Sequence, residues 1–231
     1  HIGRFTISDM KNDHFAPWMS LPEVMAFSSN PAAAHIALDV GGTRQAQWFR
    51  DLGFFAPVPI ELPEAARPLV PHQWGISTTM TVGFGHGMAE PPLAIVRGTA
   101  ATVNGGILIT PTLLEKEDAA ASPTQDAALA QGVQDAALEQ TEADTDSSGD
   151  SLPTPQGARV LSEKNSALLR RLLRLDVTGG TGRTAESPGY FVGGKTGTAE
   201  KIGPHGGYLK HVNISAFTGI FPMNAPRYAV Y

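Results

Sequence analysis

Lys195-Thr196-Gly197-Thr198, standing about 165 residues after Ser28-Ser29-Asn30, supplies side-chain types that acyl transfer through a serine requires. That chemistry needs a nucleophile, a base, a proton path to the departing amine, and donors for the developing oxyanion. Lys195 suits the proton and electrostatic roles if it stands at the edge of a site. Gly197 has no Cβ, so a substrate backbone can approach its strand closely. The hydroxyls of Thr196 and Thr198, expected on alternate sides of that strand, are candidate anchors for a substrate carboxylate. Ser28 can relay a proton toward a leaving group, and Asn30 can hold a lysine or a substrate amide. The catalytic candidates are therefore Ser28, Asn30 and Lys195, and the substrate-binding candidates Thr196, Gly197 and Thr198. Taken alone, Lys-Thr-Gly-Thr is equally a glycine turn with polar neighbours, and a lone S-x-N carries almost no information. Together they match two of three elements of an acyl-serine site, S-x-N and K-T-G.

The third element, S-x-x-K with the nucleophilic serine, has one literal match, Ser8-Asp9-Met10-Lys11. The chemistry wants Ser and Lys on one face at the start of a buried helix. Asn12-Asp13-His14 and Pro17 follow instead, so the segment is expected to be an exposed strand end before a turn. A second decoy is Gly189-Tyr190-Phe191-Val192-Gly193-Gly194-Lys195-Thr196, which satisfies the phosphate-binding P-loop pattern. A P-loop follows an apolar strand and opens a helix. Here Gly182 to Pro188 is no buried strand, and Gly197, Gly203, Pro204, Gly206 and Gly207 would break any helix. The seven histidines show no ligand spacing, and no metal site is expected.

The elements that position these residues come from one chain of 231 residues, enough for one substantial core. No run approaches the roughly 18 apolar residues of a membrane span, and no signal peptide opens the chain. His1-Ile2-Gly3 starts in mid-pattern and Tyr228-Ala229-Val230-Tyr231 stops inside an apolar alternation, so the expectation is a chain cut at both ends. The net charge of −5 hides an asymmetry: nine of the 22 acidic residues lie between Glu117 and Asp150, leaving 13 against 17 basic residues elsewhere. The remainder is mildly basic, which suits an anionic substrate. There are no cysteines, hence no disulfides.

Leu21 to Val40 reads as two helical stretches flanking Ser28-Ser29-Asn30, stopped by Gly41-Gly42. Trp48, Phe49, Leu52 and Phe54 continue an apolar face up to a helix end at Gly53. The proline-rich passage from 56 to 75 reads as irregular surface. Pro92 to Val103 has helical spacing closed by Asn104-Gly105-Gly106. Residues 116–157, dominated by Ala, Gln, Asp, Ser and Pro, cannot bury enough surface to offset their ordering entropy, and are expected to be a disordered acidic insertion. Ser162 caps a helix to about Leu175, with Leu168, Leu169, Leu172 and Leu173 as its buried stripe. Val212 to Tyr231 predicts two strands joined by Phe221-Pro222-Met223-Asn224-Ala225-Pro226. The sum is α+β, an antiparallel sheet carrying the Lys195 strand with a helical cluster beside it.

Longer stretches extend the match. "SLPEVMAFSSNPAAAHIAL", "TVGFGHGMAEPPLAIVRGTAATVNGG", "GGKTGTAEKIGPHGGY" and "FTGIFPMNAPRYAVY" resemble the transpeptidase domain of class B penicillin-binding proteins, and within it the division-specific septal branch. The resemblance covers the chain outside the acidic insertion. It implies the penicillin-recognising α+β fold, here incomplete at its N-terminus with some core surface bare. It implies a D,D-transpeptidase that cross-links peptidoglycan stem peptides ending in D-Ala-D-Ala and is acylated by β-lactams. It further implies divisome membrane proteins as partners, no nucleic acid, no cofactor, and the periplasmic face of the inner membrane. Ser28 and Asn30 then belong to the second element and Lys195, Thr196, Gly197 and Thr198 to the third, while the nucleophile is expected upstream of His1. At Ala89-Glu90-Pro91 the family usually has a small residue, Thr and Pro. Readings that share the missing S-x-x-K are a non-catalytic fragment or a scaffold of a division complex; β-lactam sensors and serine β-lactamases share the other two elements.

Overall fold

The computed structural model describes residues 6–9, 15–115, 157–204 and 208–231. It divides into two compact units, 1–111 with 155–231 and 112–154; of the second, residues 112–115 are described. The expected insertion therefore lies outside the described residues, apart from Gly157, which begins a strand.

The first unit starts with α1 (Leu21–Phe27), α2 (Asn30–Val40) and α3 (Gly42–Asp51). Glu23 fixes the start of α1 by accepting from the backbone N–H and the hydroxyl of Ser20 at 2.7 and 2.8 Å. At Gly41 a φ of 85° ends α2 and turns the chain straight into α3, a conformation that glycine adopts without steric cost. The proline-rich stretch is irregular as expected, except for a two-way pairing of Leu69 with Ala89. Directly after it, α4 (Ile76–Gly83) is an element that the sequence pattern did not reveal. Buried Gln45 of α3 holds it, donating to Thr79 O at 3.1 Å and accepting from Trp74 Nε1 at 2.9 Å.

Helix α5 (Pro92–Val103) has the boundaries its spacing predicts and feeds β1 (Ile107–Ile109), which pairs antiparallel with β2 (Gly157–Arg159). Helix α6 (Glu163–Gly179) begins at the Ser162 cap, whose hydroxyl accepts from Asn165 N. It runs a turn beyond the expected end, and its buried face differs from the predicted stripe. Leu168 is 47% exposed, while Ser166, Leu173, Asp176 and Val177 are buried. Three antiparallel strands complete the unit: β3 (Gly193–Ile202), β4 (Tyr208–Phe221) and β5 (Tyr228–Val230), in the order β3-β4-β5. Helix α6 packs against β3, and α1 packs against α6. The architecture is α+β, as the sequence implies.

Two apolar clusters hold these layers together. Val103, Leu173, Ile220 and Met223 pack with Met25 and Ala229 where α5, α6 and the sheet meet. Leu52, Ala101 and Leu108 pack with Trp48, Phe54 and Val160 on the other side of α5. Helix α5 thus contributes to both, and truncating a buried leucine such as Leu173 removes about 2–5 kcal/mol. Several large side chains of α1 and α2 remain open, Leu21 at 55% and Val40 at 42% among them.

Candidate active site

The S-x-N triplet is the junction of α1 and α2. Ser28 closes α1 in the left-handed region (φ 60°, ψ 43°), and it is the one non-glycine residue with positive φ among those described. That conformation costs about 1–2 kcal/mol for a residue with a Cβ. It reverses the chain so that Ser29 can cap α2, and it leaves Ser28 exposed. Among the described residues its hydroxyl has no partner, so it is free to serve a proton path. Ser29 is buried; its hydroxyl accepts from Ala32 N at 3.4 Å and donates to Asp9 at 3.2 Å. The middle residue of the triplet is therefore structural.

Asn30 is held at its backbone by Asp9, whose carboxylate accepts from Asn30 N at 2.7 Å, and its amide donates to Ser8 O at 3.3 Å. Asp9 thus places negative charge at the N-terminal end of α2, where the exposed N–H groups favour it. Ser8 itself is exposed and lies in irregular backbone rather than a strand end. What the literal S-x-x-K match contributes is a helix anchor one residue later, a role the sequence did not signal.

On the other side, β3 presents the K-T-G element as the edge strand of the described sheet. The P-loop alternative fails here, since Gly193–Ile202 is a strand and no helix follows Lys195. Gly194 and Gly197 of the strand differ in kind. A Cβ on Gly194 would sit 2.3 Å from Thr218 O and 2.4 Å from the Phe217 ring, so packing demands glycine there. A Cβ on Gly197 would meet only Ala216 Cβ at 4.0 Å. Nothing among the described residues requires Gly197 to be bare, and its side of the strand is open. Thr196 and Thr198, two apart in a strand, share one face; the expectation of alternate sides was wrong. They also differ in state: Thr196 is engaged, whereas Thr198 is exposed and its hydroxyl has no partner among the described residues.

Lys195 closes a ring of polar groups. Its ammonium donates to Thr196 Oγ1 at 3.3 Å and to Thr196 O at 3.2 Å, and lies 3.6 Å from Asp176 Oδ1. Thr181 Oγ1 donates to that same Asp176 oxygen at 2.9 Å. A hydroxyl has one proton, so Thr196 Oγ1 is the donor in its 2.5 Å contact with Thr181 Oγ1. Burial pushes the Lys195 ammonium below the usual lysine range, and the Asp176 carboxylate beside it opposes that fall. Neither Asp176 nor Thr181 was picked out from the sequence. A signal was present, because Asp176 falls at helical spacing from Leu169, Leu172 and Leu173, on the face that packs inward.

Thr181 also ties the two sequence elements together. Its backbone N–H donates to Ala26 O at 3.0 Å, in the last turn of α1, while its side chain meets Thr196 on β3. Ser28 and Asn30 make no direct hydrogen bond to β3 among the described residues. The link runs through α1 and the turn after α6.

Residues 3–231 match the family model described as the penicillin binding protein transpeptidase domain. The chain is 36% identical over 212 residues to the probable peptidoglycan D,D-transpeptidase FtsI of Caulobacter vibrioides, covering 90% of this chain and 30% of that protein. It is 31% identical over 211 residues to stage V sporulation protein D of Bacillus subtilis, covering 90% and 29%. Among solved structures, penicillin-binding protein 3 of Mycobacterium tuberculosis complexed with aztreonam superposes with a TM-score of 0.70 at 27% identity, over 94% of this chain and 46% of that one. The transpeptidase domain of penicillin-binding protein 3 from Burkholderia pseudomallei gives 0.71 at 25% identity, over 91% and 54%. The chain spans about 30% of the length of these two curated relatives.

Proposed function

The chain belongs to the penicillin-binding protein transpeptidase domain family, and from that premise we propose that it forms the S-x-N and K-T-G side of a peptidoglycan D,D-transpeptidase site used in cell division. The observation that carries this is the Thr181 bridge, which joins the end of α1 to the K-T-G strand and so holds both elements in one framework. In this reading the nucleophilic serine comes from an S-x-x-K segment outside these residues. Ser28 relays the proton toward the departing D-Ala amine, and Asn30 orients the stem-peptide amide once it releases Ser8 O. Lys195 supplies positive charge beside the path, and Thr198, with its uncommitted hydroxyl, takes the terminal carboxylate. The stem peptide lies along the free edge of β3, where Gly197 admits its backbone.

The substrate is a stem peptide ending in D-Ala-D-Ala, and β-lactams acylate the same serine as its mimics. The partners are divisome membrane proteins, and the working place is the periplasmic face of the inner membrane. Among the described residues no helix is long and apolar enough to cross a membrane. The relatives named as transpeptidases and as penicillin-binding protein 3 support this assignment.

The test is labelling by a fluorescent penicillin, read by intact mass spectrometry, in protein that joins this chain to its S-x-x-K segment. A stoichiometric adduct on that serine is expected, and Lys195→Ala slows its formation by roughly 10²–10³-fold. Gly197→Ala slows labelling without lowering the melting temperature, whereas Gly194→Ala lowers the melting temperature. Residues 1–231 alone take up no stable adduct, because Ser8 itself lies in irregular backbone rather than at the start of a buried helix. A stoichiometric adduct at Ser8 overturns the assignment.

A further inference from the structure

Asp176 is buried completely, yet it lies near the end of a helix whose last two residues, Thr178 and Gly179, are exposed. Burying an unpaired carboxylate is costly enough that such groups are found with a cation or with donors. Asp176 has both, Lys195 at 3.6 Å and the Thr181 hydroxyl at 2.9 Å. Its own backbone carbonyl accepts from Gly180 N and Gly182 N, at 3.0 and 3.1 Å, so the turn carrying Thr181 is wrapped around it. Its other oxygen, Oδ2, is buried and accepts no hydrogen bond within the described residues. A carboxylate so fixed has little freedom to follow the lysine. The lysine, with four rotatable bonds, must come to it.

We propose that Asp176 is the positioning residue for Lys195, holding its ammonium against β3 and keeping it charged for the acyl-transfer site. This rests on the transpeptidase reading above and deepens it. Among the described residues the Lys195 ammonium makes three contacts, two to Thr196 on its own strand and the third, the only one to a charged group, to Asp176. The groups facing it from each packed element are few. From α6 it is Asp176; Arg174, on the same helix, is turned to Glu186 at 2.6 Å and to Val192 O. From the turn after α6 it is the Thr181 hydroxyl, beyond which Arg183 is exposed. From β4 the residue in register opposite Lys195 is Thr218, which is uncharged. Asp176 is therefore the one charged group in contact with Lys195 among the described residues.

The rival role is purely structural, with Asp176 serving as an anchor for the turn at 180–182. Asp176→Asn separates the two, because an amide oxygen still accepts from Thr181 while the charge is gone. Burial already draws the Lys195 pKa down and Asp176 alone among its neighbours opposes this, so removing the charge makes Lys195 lose its proton at lower pH. An opposite charge at this range is worth about one to three pH units.

Two readouts are taken as a function of pH. The first is the rate of penicillin acylation in the protein carrying its S-x-x-K segment. The second is the modification of Lys195 by acetic anhydride, located by peptide mass spectrometry, which needs no penicillin reactivity. With Asp176→Asn, the alkaline limb of acylation and the midpoint of Lys195 modification both move down by about one pH unit or more, a roughly tenfold loss of acylation on the alkaline side of both limbs. Asp176→Glu returns both toward the parent, and Asp176→Ser is the second charge-free variant should the Asn protein not fold. Midpoints of Lys195 modification that coincide in parent and folded charge-free variants overturn the proposal, as does a loss of acylation equal at every pH. A parent that is never acylated, with the Lys195 midpoint still shifted, refutes the transpeptidase reading while leaving Asp176 as the group that holds Lys195 charged.

Discussion

Asp176 sits at the seam between α6 and β3 with an ammonium and a hydroxyl for partners, whereas Glu90, just ahead of α5, has neither. Both Glu90 oxygens are buried without a hydrogen bond among the described residues, and withdrawal from water pushes its carboxyl up to about 7. At the seam the same desolvation penalty acts on the partner too: Lys195 is drawn down by burial and held back by Asp176. The difference teaches that burial alone does not make a functional electrostatic site. A carboxylate that meets a cation and a donor holds its partner's charge in place; one buried with neither is drawn toward its neutral form instead.

The largest expected effect comes from dismantling the seam. Asp176→Ala removes the counter-charge, strands the Thr181 hydroxyl and opens a void, and should cost about 3 kcal/mol, the scale for losing one partner of a buried pair. Urea unfolding measures it, and a loss below about 1 kcal/mol would show that the seam resembles a surface ion pair. Gly182→Ala attacks the same group sterically. Its Cβ would lie 2.6 Å from Asp176 Oδ2 and 3.3 Å from the Phe217 ring, and neither neighbour is free to retreat. A cost of about 2 kcal/mol is expected, within the range for overpacking, together with slower penicillin acylation. Thr181→Val keeps the shape but deletes the donor to Asp176 and the acceptor for Thr196. About 1 kcal/mol is expected for a hydrogen-bond loss at a partly exposed position, with the melting temperature as readout.

What the sequence disclosed tracks how local the determining interactions are. The α1–α2 junction was legible because Ser28-Ser29-Asn30 makes poor helix interior and good capping chemistry. Helix α5 was legible from its apolar spacing and the glycines after it. The Ser162 cap and the turn between β4 and β5 were read from residues only a few positions apart. Helix α4 was missed because Ile76-Ser77-Thr78-Thr79-Met80-Thr81 has strand-like composition. Its threonines fold back onto carbonyls of the preceding turn, with Thr79 Oγ1 on Gly75 O and Thr81 Oγ1 on Ser77 O, and Gln45 of another helix supplies the rest. The β1–β2 ladder pairs residues about fifty positions apart, beyond any local signal. The candidate site divides the same way. Ser28, Asn30 and Lys195 to Thr198 were found as short motifs, but the Asp176–Thr181–Thr196 ring that positions them was not, since an aspartate near a helix end reads as solvent-facing until its neighbour 19 residues on is known.

The smallest effect tests the unpaired side of the comparison and has the opposite sign. Glu90 in the fold titrates near 7 and in the unfolded chain near its ordinary 4.5. Below about 4.5 both states are protonated and the group contributes nothing. Between 4.5 and 7 the unfolded chain releases its proton first, so stability falls as pH rises through this window. Above 7 both are ionised and the full penalty of holding a charge in a desolvated place remains. Glu90→Gln removes the charge while keeping the shape, and it should therefore stabilise the protein at pH 8 and leave it unchanged at pH 4. The gain is under about 1 kcal/mol, well below the unscreened value of the shift, because the residue as a whole is only half-buried and nearby water screens the penalty on its buried oxygens. Melting temperatures of parent and variant across pH 4–8 should converge at the acid end and separate toward the alkaline end. Parallel curves would mean that Glu90 finds a partner in solution, and the two carboxylates would then obey one rule instead of two.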